Sequence, residues 1–211
     1  IIDRFRQIKP KILIAQDGYV HAGKTIDQSE TIGIIWAALE SVEHFICVPV
    51  VGEIGQSDIN WHDLTEKHVK FDPIPVAFDH PLWVVYSSGT TGTPKPIVHG
   101  HGGVIIEGMK QSLHHDLTTS DRFSWLTSSG WIMWNAQWVA LGQGATVVAF
   151  DGAPNYPDMN RIWEFVSDEK LTFFGAGAAF YEGCIKAAVH PAKSFDLSAL
   201  RSLGSTGSPL S

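Results

Sequence analysis

Cysteine is scarce in this chain. Only Cys47 and Cys184 occur among 211 residues, and they lie far apart. A disulfide framework is excluded and a single bridge is not; a reducing, cytoplasmic compartment is expected. Basic residues are the minority, 15 Lys and Arg against 22 Asp and Glu, for a net charge of -7. With no basic block of five or more residues, the chain argues against nucleic acid as a partner. No apolar run approaches the roughly 20 residues of a membrane span, and no signal-peptide pattern is visible. The common nucleotide fingerprints are missing too. Gly100-x-Gly102 meets Ile105 where a small residue is needed, and Gly175-x-Gly177 meets Phe180, so neither opens a dinucleotide fold. What is present is an ordinary globular balance, 44% hydrophobic and 18% charged, enough for a substantial core in one or two domains.

The apolar pattern alternates between strand and helix. Ile12–Ala15 and Phe45–Val51 read as strands around a helix that Asp27 caps and that places Ile32, Ile35, Trp36 and Leu39 on one face. Residues 11–51 therefore read as a βαβ unit. A short helix near Trp61–Leu64 and a Pro-rich connection, Asp72–Pro75, follow. Strands are then predicted at 82–86, 97–98, 122–126, 145–150, 172–174 and 200–203, and helices at 103–117, 131–141, 160–169 and 178–189. This alternation predicts an α/β fold of mostly parallel sheet flanked by helices. Residues 1–80 form the lead-in βαβ unit and linker, and 81–211 a second α/β region. The chain starts without methionine and stops just past an apparent strand, so an internal piece of a longer protein is expected.

Between the strands at 82–86 and 97–98 lies Tyr86-Ser87-Ser88-Gly89-Thr90-Thr91-Gly92-Thr93-Pro94-Lys95. Glycines let backbone N–H groups approach an anion closely, hydroxyls add donors, and Lys95 adds a point charge. Such a loop suits a polyphosphate. It is not the loop of the common nucleoside triphosphatases, which needs four residues between its glycines and then Gly-Lys-Ser/Thr; here only Thr90 and Thr91 separate Gly89 from Gly92.

Ser-Ser-Gly-Thr-Thr-Gly-x-Pro-Lys, entered from an apolar strand and followed by Pro96-Ile97-Val98-His99, resembles the phosphate loop of the adenylate-forming acyl-CoA synthetases. The likeness covers essentially all of the chain. It is carried by Arg4-Phe5, Pro10-Lys11, Asp17-Gly18-Tyr19, His80–Val84 and Val98–Gly103. Further along come Gly130-Trp131-x-Met133-Trp134-Asn135, Phe195–Arg201 and Gly204–Leu210. The two glycine-bounded strings, at 130–135 and 204–210, are similar to the acetoacetyl-CoA synthetase branch rather than the acetate and propionate enzymes.

The resemblance implies an AMP-forming acid–thiol ligase, an acetoacetate–CoA ligase. ATP and acetoacetate give acetoacetyl-AMP and pyrophosphate, and coenzyme A then displaces AMP; Mg²⁺ assists. Ligases for 3-hydroxybutyrate, acetate or propionate, or a truncated non-catalytic nucleotide-binding product, stay open alongside it. By the same resemblance, Ser87, Ser88, Gly89, Thr90, Thr91 and Gly92 hold the β- and γ-phosphates, and Lys95 stabilises the loop or the phosphates. Gly207, Ser208 and Pro209 lie against adenine; many relatives have Glu at the middle position, where this chain offers a hydroxyl. Trp131, Ile132 and Met133 line the acyl pocket and pantetheine tunnel. Thr206 either meets the 3-keto oxygen or bonds its own backbone. The magnesium-binding and catalytic-lysine segments of the family do not occur, so these 211 residues are expected to be part of the N-terminal AMP-binding domain and not to catalyse alone. No metal ligands are assigned.

Other residues take plainer readings. His99 and His101, at i and i+2, are expected on one face of a strand. His114-His115 ends a helix, where its C-terminal dipole favours a cation. Trp36, Trp83, Trp125 and Trp163 fall on core-facing positions. Glu107 and Asp116 stand on one helix, too far apart for an acid/base pair.

Overall fold

The computed structural model describes residues 1–52, 57–87 and 92–209. Its chain divides into two compact units, Ile1–His101 and Gly102–Ser211.

In the first unit, helix α1 (Ile2–Ile8) precedes strand β1 (Ile12–Gln16) and a hairpin of β2 (Gly18–His21) and β3 (Lys24–Asp27). Helix α2 (Ser29–Ala38) leads into β4 (His44–Val48), then β5 (Ile59–Asn60), α3 (Trp61–Thr65), and a second hairpin, β6 (Pro81–Tyr86) with β7 (Pro96–Gly100). β1 and β4 pair in parallel from Ile12↔His44 to Gln16↔Val48, and β5 extends the sheet. The expected βαβ unit is there. Its α2 packs Ile32 and the half-buried Trp36 over Phe45, Cys47, Leu13 and Ala15. The Asp27 carboxylate accepts the N–H of Ser29 at 2.8 Å, a free donor of the first turn. The β2–β3 hairpin is additional. Its tip is Ala22-Gly23, both at positive φ (48° and 75°). Hairpin turns of that kind usually declare themselves by Asn or Asp at the first position, so alanine there hides the signal.

In the second unit, α4 (His101–His115, begun by the last residue of the first) precedes β8 (Arg122–Trp125), a 3-10 turn (Ile132–Trp134), α5 (Asn135–Gly142) and β9 (Thr146–Val147). Then come α6 (Arg161–Asp168), β10 (Phe173–Gly177), α7 (Ala178–Lys186), α8 (Pro191–Ser194) and β11 (Ser202–Thr206). The sheet order is β11-β10-β8-β9, and every pair is parallel. Successive strand residues point to opposite faces. Phe174 accordingly joins Ile162, Trp163, Val166, Leu171 and Cys184 on the α6–α7 side. Phe173 joins Phe123, Trp125, Leu117 and Ala140 on the other. A sheet covered on both faces explains why Phe173–Ala176 is buried without interruption.

Of the four tryptophans read as core residues, Trp125 (6% exposed) and Trp163 (5%) are buried, while Trp36 and Trp83 are half-buried. Both cysteines are buried and free. The strand expected over 145–150 is only Thr146–Val147. Among the described residues, no helix is long and apolar enough to cross a membrane.

Candidate functional site

The hydroxyl-rich loop is the connection of the β6–β7 hairpin. Ladder pairing runs to Tyr86↔Pro96, and one more rung closes the stem. The Ser87 N–H donates to the Lys95 carbonyl and the Lys95 N–H to Ser87 Oγ, both at 3.1 Å. A serine that binds across the stem through backbone and side chain fixes where the loop begins. Ser88, Gly89, Thr90 and Thr91 lie outside the described residues. Gly92 is exposed and, among the described residues, no atom lies within 4 Å of its would-be Cβ. Lys95 is exposed and, among the described residues, enters no ion pair, so its charge is available to an anion.

Helix α1, absent from the sequence reading, braces this stem. Tyr86 donates its hydroxyl to the Arg4 carbonyl at 2.7 Å, and Gln7 Nε2 donates to the Pro94 carbonyl at 3.1 Å. Burial pushes the Tyr86 hydroxyl pKa up, against the opposing pull of Arg4. The other end of the hairpin corrects an expectation. His99 and His101 do not share a strand face, because the strand ends at Gly100 and His101 starts α4. His101 instead takes the His80 carbonyl, its N–H at 3.0 Å and Nδ1 at 2.8 Å. Among the described residues, no group of three or more His, Cys, Asp or Glu side chains could hold a metal ion.

The remaining candidates belong to the second unit. In parallel α/β sheets, ligands bind beyond the carboxyl ends of the strands. Beyond β8 comes Trp131, and beyond β11 come Gly207, Ser208 and Pro209. Gly207 turns the chain at φ 94°, a left-handed conformation that favours glycine. The Trp131 ring lies 3.8 Å from where its Cβ would be, so two of the inferred site residues meet. Thr206 ends β11 opposite Gly177; it is half-buried, and among the described residues its hydroxyl has no hydrogen-bond partner. Ile132 is 52% exposed. Met133 packs against the Phe123–Trp125 cluster and, with Trp125, Ala136, Glu107, Lys110 and His115, lines a cavity of about 420 Å³. Ser208 and Pro209 are exposed.

Sequence reasoning missed what supports these positions. Gly175 and Gly204 are register partners on β10 and β11. A Cβ on Gly175 would lie 2.3 Å from the Trp125 ring, and one on Gly204 2.8 Å. The two glycines make the flat bed on which the indole lies, a packing role. Tyr181 donates to the Gly204 carbonyl at 2.8 Å, and burial pushes its hydroxyl up to about 12.

At the opposite ends of the same strands sits Asp121, only 4% exposed. Burial alone would raise its pKa. Bonds from Arg201, Thr172 and Thr118 overrule burial and hold the carboxyl well below the usual carboxylate range. An unfolded Asp titrates near 3.9, so this group's stabilisation is complete above about pH 4 and is lost as pH falls toward the depressed folded value. Acid unfolding followed by near-UV circular dichroism should therefore lose part of its slope between about pH 4 and 2 in Asp121→Asn. An unchanged slope would contradict that assignment.

The family model described as "AMP-binding enzyme" matches residues 1–211. Among curated proteins, the chain is 36% identical over 222 residues to an acetoacetyl-coenzyme A synthetase of Rhizobium meliloti (strain 1021), covering 100% of this chain and 34% of that protein. It is 33% identical over 226 residues to the acetoacetyl-CoA synthetase of Danio rerio, covering 100% and 33%. Among solved structures, it superposes on the acetoacetyl-CoA synthetase from Streptomyces lividans with a TM-score of 0.95 at 43% identity, covering 99% of this chain and 33% of that one. The chain thus spans about a third of the length of these relatives.

Proposed function

The chain belongs to the AMP-binding enzyme family, and from that premise we propose that it is part of the N-terminal domain of an AMP-forming acetoacetate–CoA ligase. The observation that carries this reading is the likeness to acetoacetyl-CoA synthetases over the whole chain, which takes in both the hairpin loop and the Trp131–Gly207 contact. The reaction joins acetoacetate to the α-phosphate of ATP, expels pyrophosphate, and passes the acyl group to coenzyme A with release of AMP. The buried free thiols of Cys47 and Cys184 accord with a reducing, cytoplasmic compartment.

The first step brings two anions together, so its obstacle is electrostatic. Donors fixed in advance lower it most, because they need no reorganisation as charge develops. The Ser87–Lys95 hydrogen bonds hold together the two ends of the loop that carries such donors. Residues 88–92 would offer backbone N–H groups, and Ser87 its hydroxyl together with those of Ser88, Thr90 and Thr91, to the β- and γ-phosphates; the unpaired Lys95 faces no competing carboxylate among the described residues. Mg²⁺ would supply further charge neutralisation. Among the described residues, no group of three or more His, Cys, Asp or Glu side chains could hold it.

A panel of acetoacetate, 3-hydroxybutyrate, acetate, propionate and butyrate, each with ATP and CoA, tests the reading on the full-length protein. The highest kcat/KM is expected for acetoacetate. Preference for another acid, or no AMP from any, would overturn it. The unpartnered Thr206 hydroxyl is proposed to meet the 3-keto oxygen. Thr206→Val should then raise KM for acetoacetate by about tenfold, the worth of one hydrogen bond of about 1.4 kcal/mol, and leave that for butyrate nearly unchanged. Equal effects on both acids would contradict the role.

A further inference from the structure

Three adjacent strands of the second unit begin at one polar knot. Asp121 precedes β8, Thr172 precedes β10, and Arg201 precedes β11. Asp121 Oδ1 accepts from Thr172 Oγ1 at 2.6 Å and from Arg201 Nε at 3.0 Å. Its Oδ2 accepts from the Thr118 N–H at 2.7 Å and the Thr118 hydroxyl at 3.1 Å. The Thr172 hydroxyl in turn accepts the Arg122 N–H at 3.0 Å. Arg201 reaches further, giving Nη1 to the His115 carbonyl at 3.1 Å and Nη2 to the Asp116 carbonyl at 2.6 Å. One guanidinium thus ties the start of β11 to the start of β8 and to the C-terminal end of α4. Residues 51 and 80 positions apart in sequence converge on a single carboxylate oxygen.

β11 needs such a tether. It pairs with β10 in parallel over five residues, from Phe173↔Ser202 to Gly177↔Thr206. Its centre is Gly204, which contributes no side chain to hold register. A slip of one residue would turn every side chain to the other face, Thr206 included, and carry Gly207 away from Trp131.

We infer that Arg201, anchored by Asp121 and Thr172, is a positioning residue that sets the register of β11 and so places Gly207 against Trp131, with Thr206, Ser208 and Pro209 beside it in the chain. The catalytic consequence rests on the reading of those residues as substrate contacts under Proposed function; the register consequence does not.

The experiment uses the full-length protein with Arg201→Met, Arg201→Lys and Thr172→Val, assayed well below each variant's unfolding temperature. Arg201→Met should raise KM for acetoacetate and ATP by about tenfold or more, since small misplacements of binding groups are costly, while kcat changes much less. Arg201→Lys, which keeps the charge on Asp121 but cannot fork to both carbonyls, should recover part of the loss. Amide hydrogen exchange at residues 203–207 should quicken about tenfold in Arg201→Met, as expected of local opening, with α6 amides unchanged. Unchanged KM values with only a lower unfolding temperature, or exchange that quickens equally in α6 and β11, would overturn the inference. If the unsubstituted protein forms no acyl-CoA, the proposed activity fails and hydrogen exchange alone decides the register claim. If Arg201→Met does not fold, Thr172→Val decides it by the same readouts.

Discussion

Gly175→Val is expected to leave the protein unfolded or insoluble. A Cβ at this position would stand 2.3, 2.4 and 2.6 Å from three atoms of the Trp125 ring, contacts that side chains do not sustain, so one of the two must move. Trp125 has little freedom to do so. It is 6% exposed, packs on Phe173 with ring centroids 6.2 Å apart and planes 29° from parallel, and its far edge already rests 2.8 Å from where a Cβ on Gly204 would be. Overpacking ordinarily costs about 1–3 kcal/mol; a clash against a wedged indole in a sheet covered on both faces should exceed that, at about 4 kcal/mol, a large part of what holds a domain folded. Urea denaturation and the soluble fraction on expression check it. A midpoint near that of the parent protein would contradict the account. Shrinking the indole should help, so Gly175→Ala combined with Trp125→Leu is expected to be more soluble than Gly175→Ala alone.

Gly89→Val, by contrast, should abolish activity and spare the fold. Gly89 sits in the loop between Ser87 and Lys95, outside the described residues, so the expectation rests on its sequence setting and on the stem beneath it. A valine there adds a branched side chain where backbone N–H groups must come close to phosphate, and its β-branch narrows the dihedrals the loop can adopt. Losing one preorganised donor costs about 3 kcal/mol, roughly a hundredfold or more in rate, and displacing the loop removes several donors together. Exchange of labelled pyrophosphate into ATP by the full-length variant should fall to background, with a thermal unfolding profile like the parent's. Normal exchange would contradict the phosphate role. Loss of exchange together with unfolding would mean that the glycine serves structure instead.

How much of this was legible in the sequence depends on distance along the chain. The parallel character of the second sheet follows from local pattern, because strands of period two alternating with helices near period four leave few other topologies. α6 shows it best, its buried Ile162, Trp163 and Val166 standing where the spacing put them. The phosphate-loop string was legible because its chemistry lies in consecutive residues. The β2–β3 hairpin was not, with alanine in the turn position that asparagine usually marks. Nor was the brace from Tyr86 to Arg4, which joins residues 82 positions apart.

By itself, then, the sequence determined the strand–helix alternation, the phosphate-loop string and the family that string resembles. Only the tertiary structure decided that Gly175 and Gly204 form a bed for Trp125, that His101 serves the His80 carbonyl rather than pairing with His99, and that Asp121 gathers Thr172 and Arg201. The physical reason is the same in each case. Periodicity along a chain encodes which face a residue takes, but not which strand becomes its neighbour. Contacts across a parallel sheet exist only once strand order and register are set.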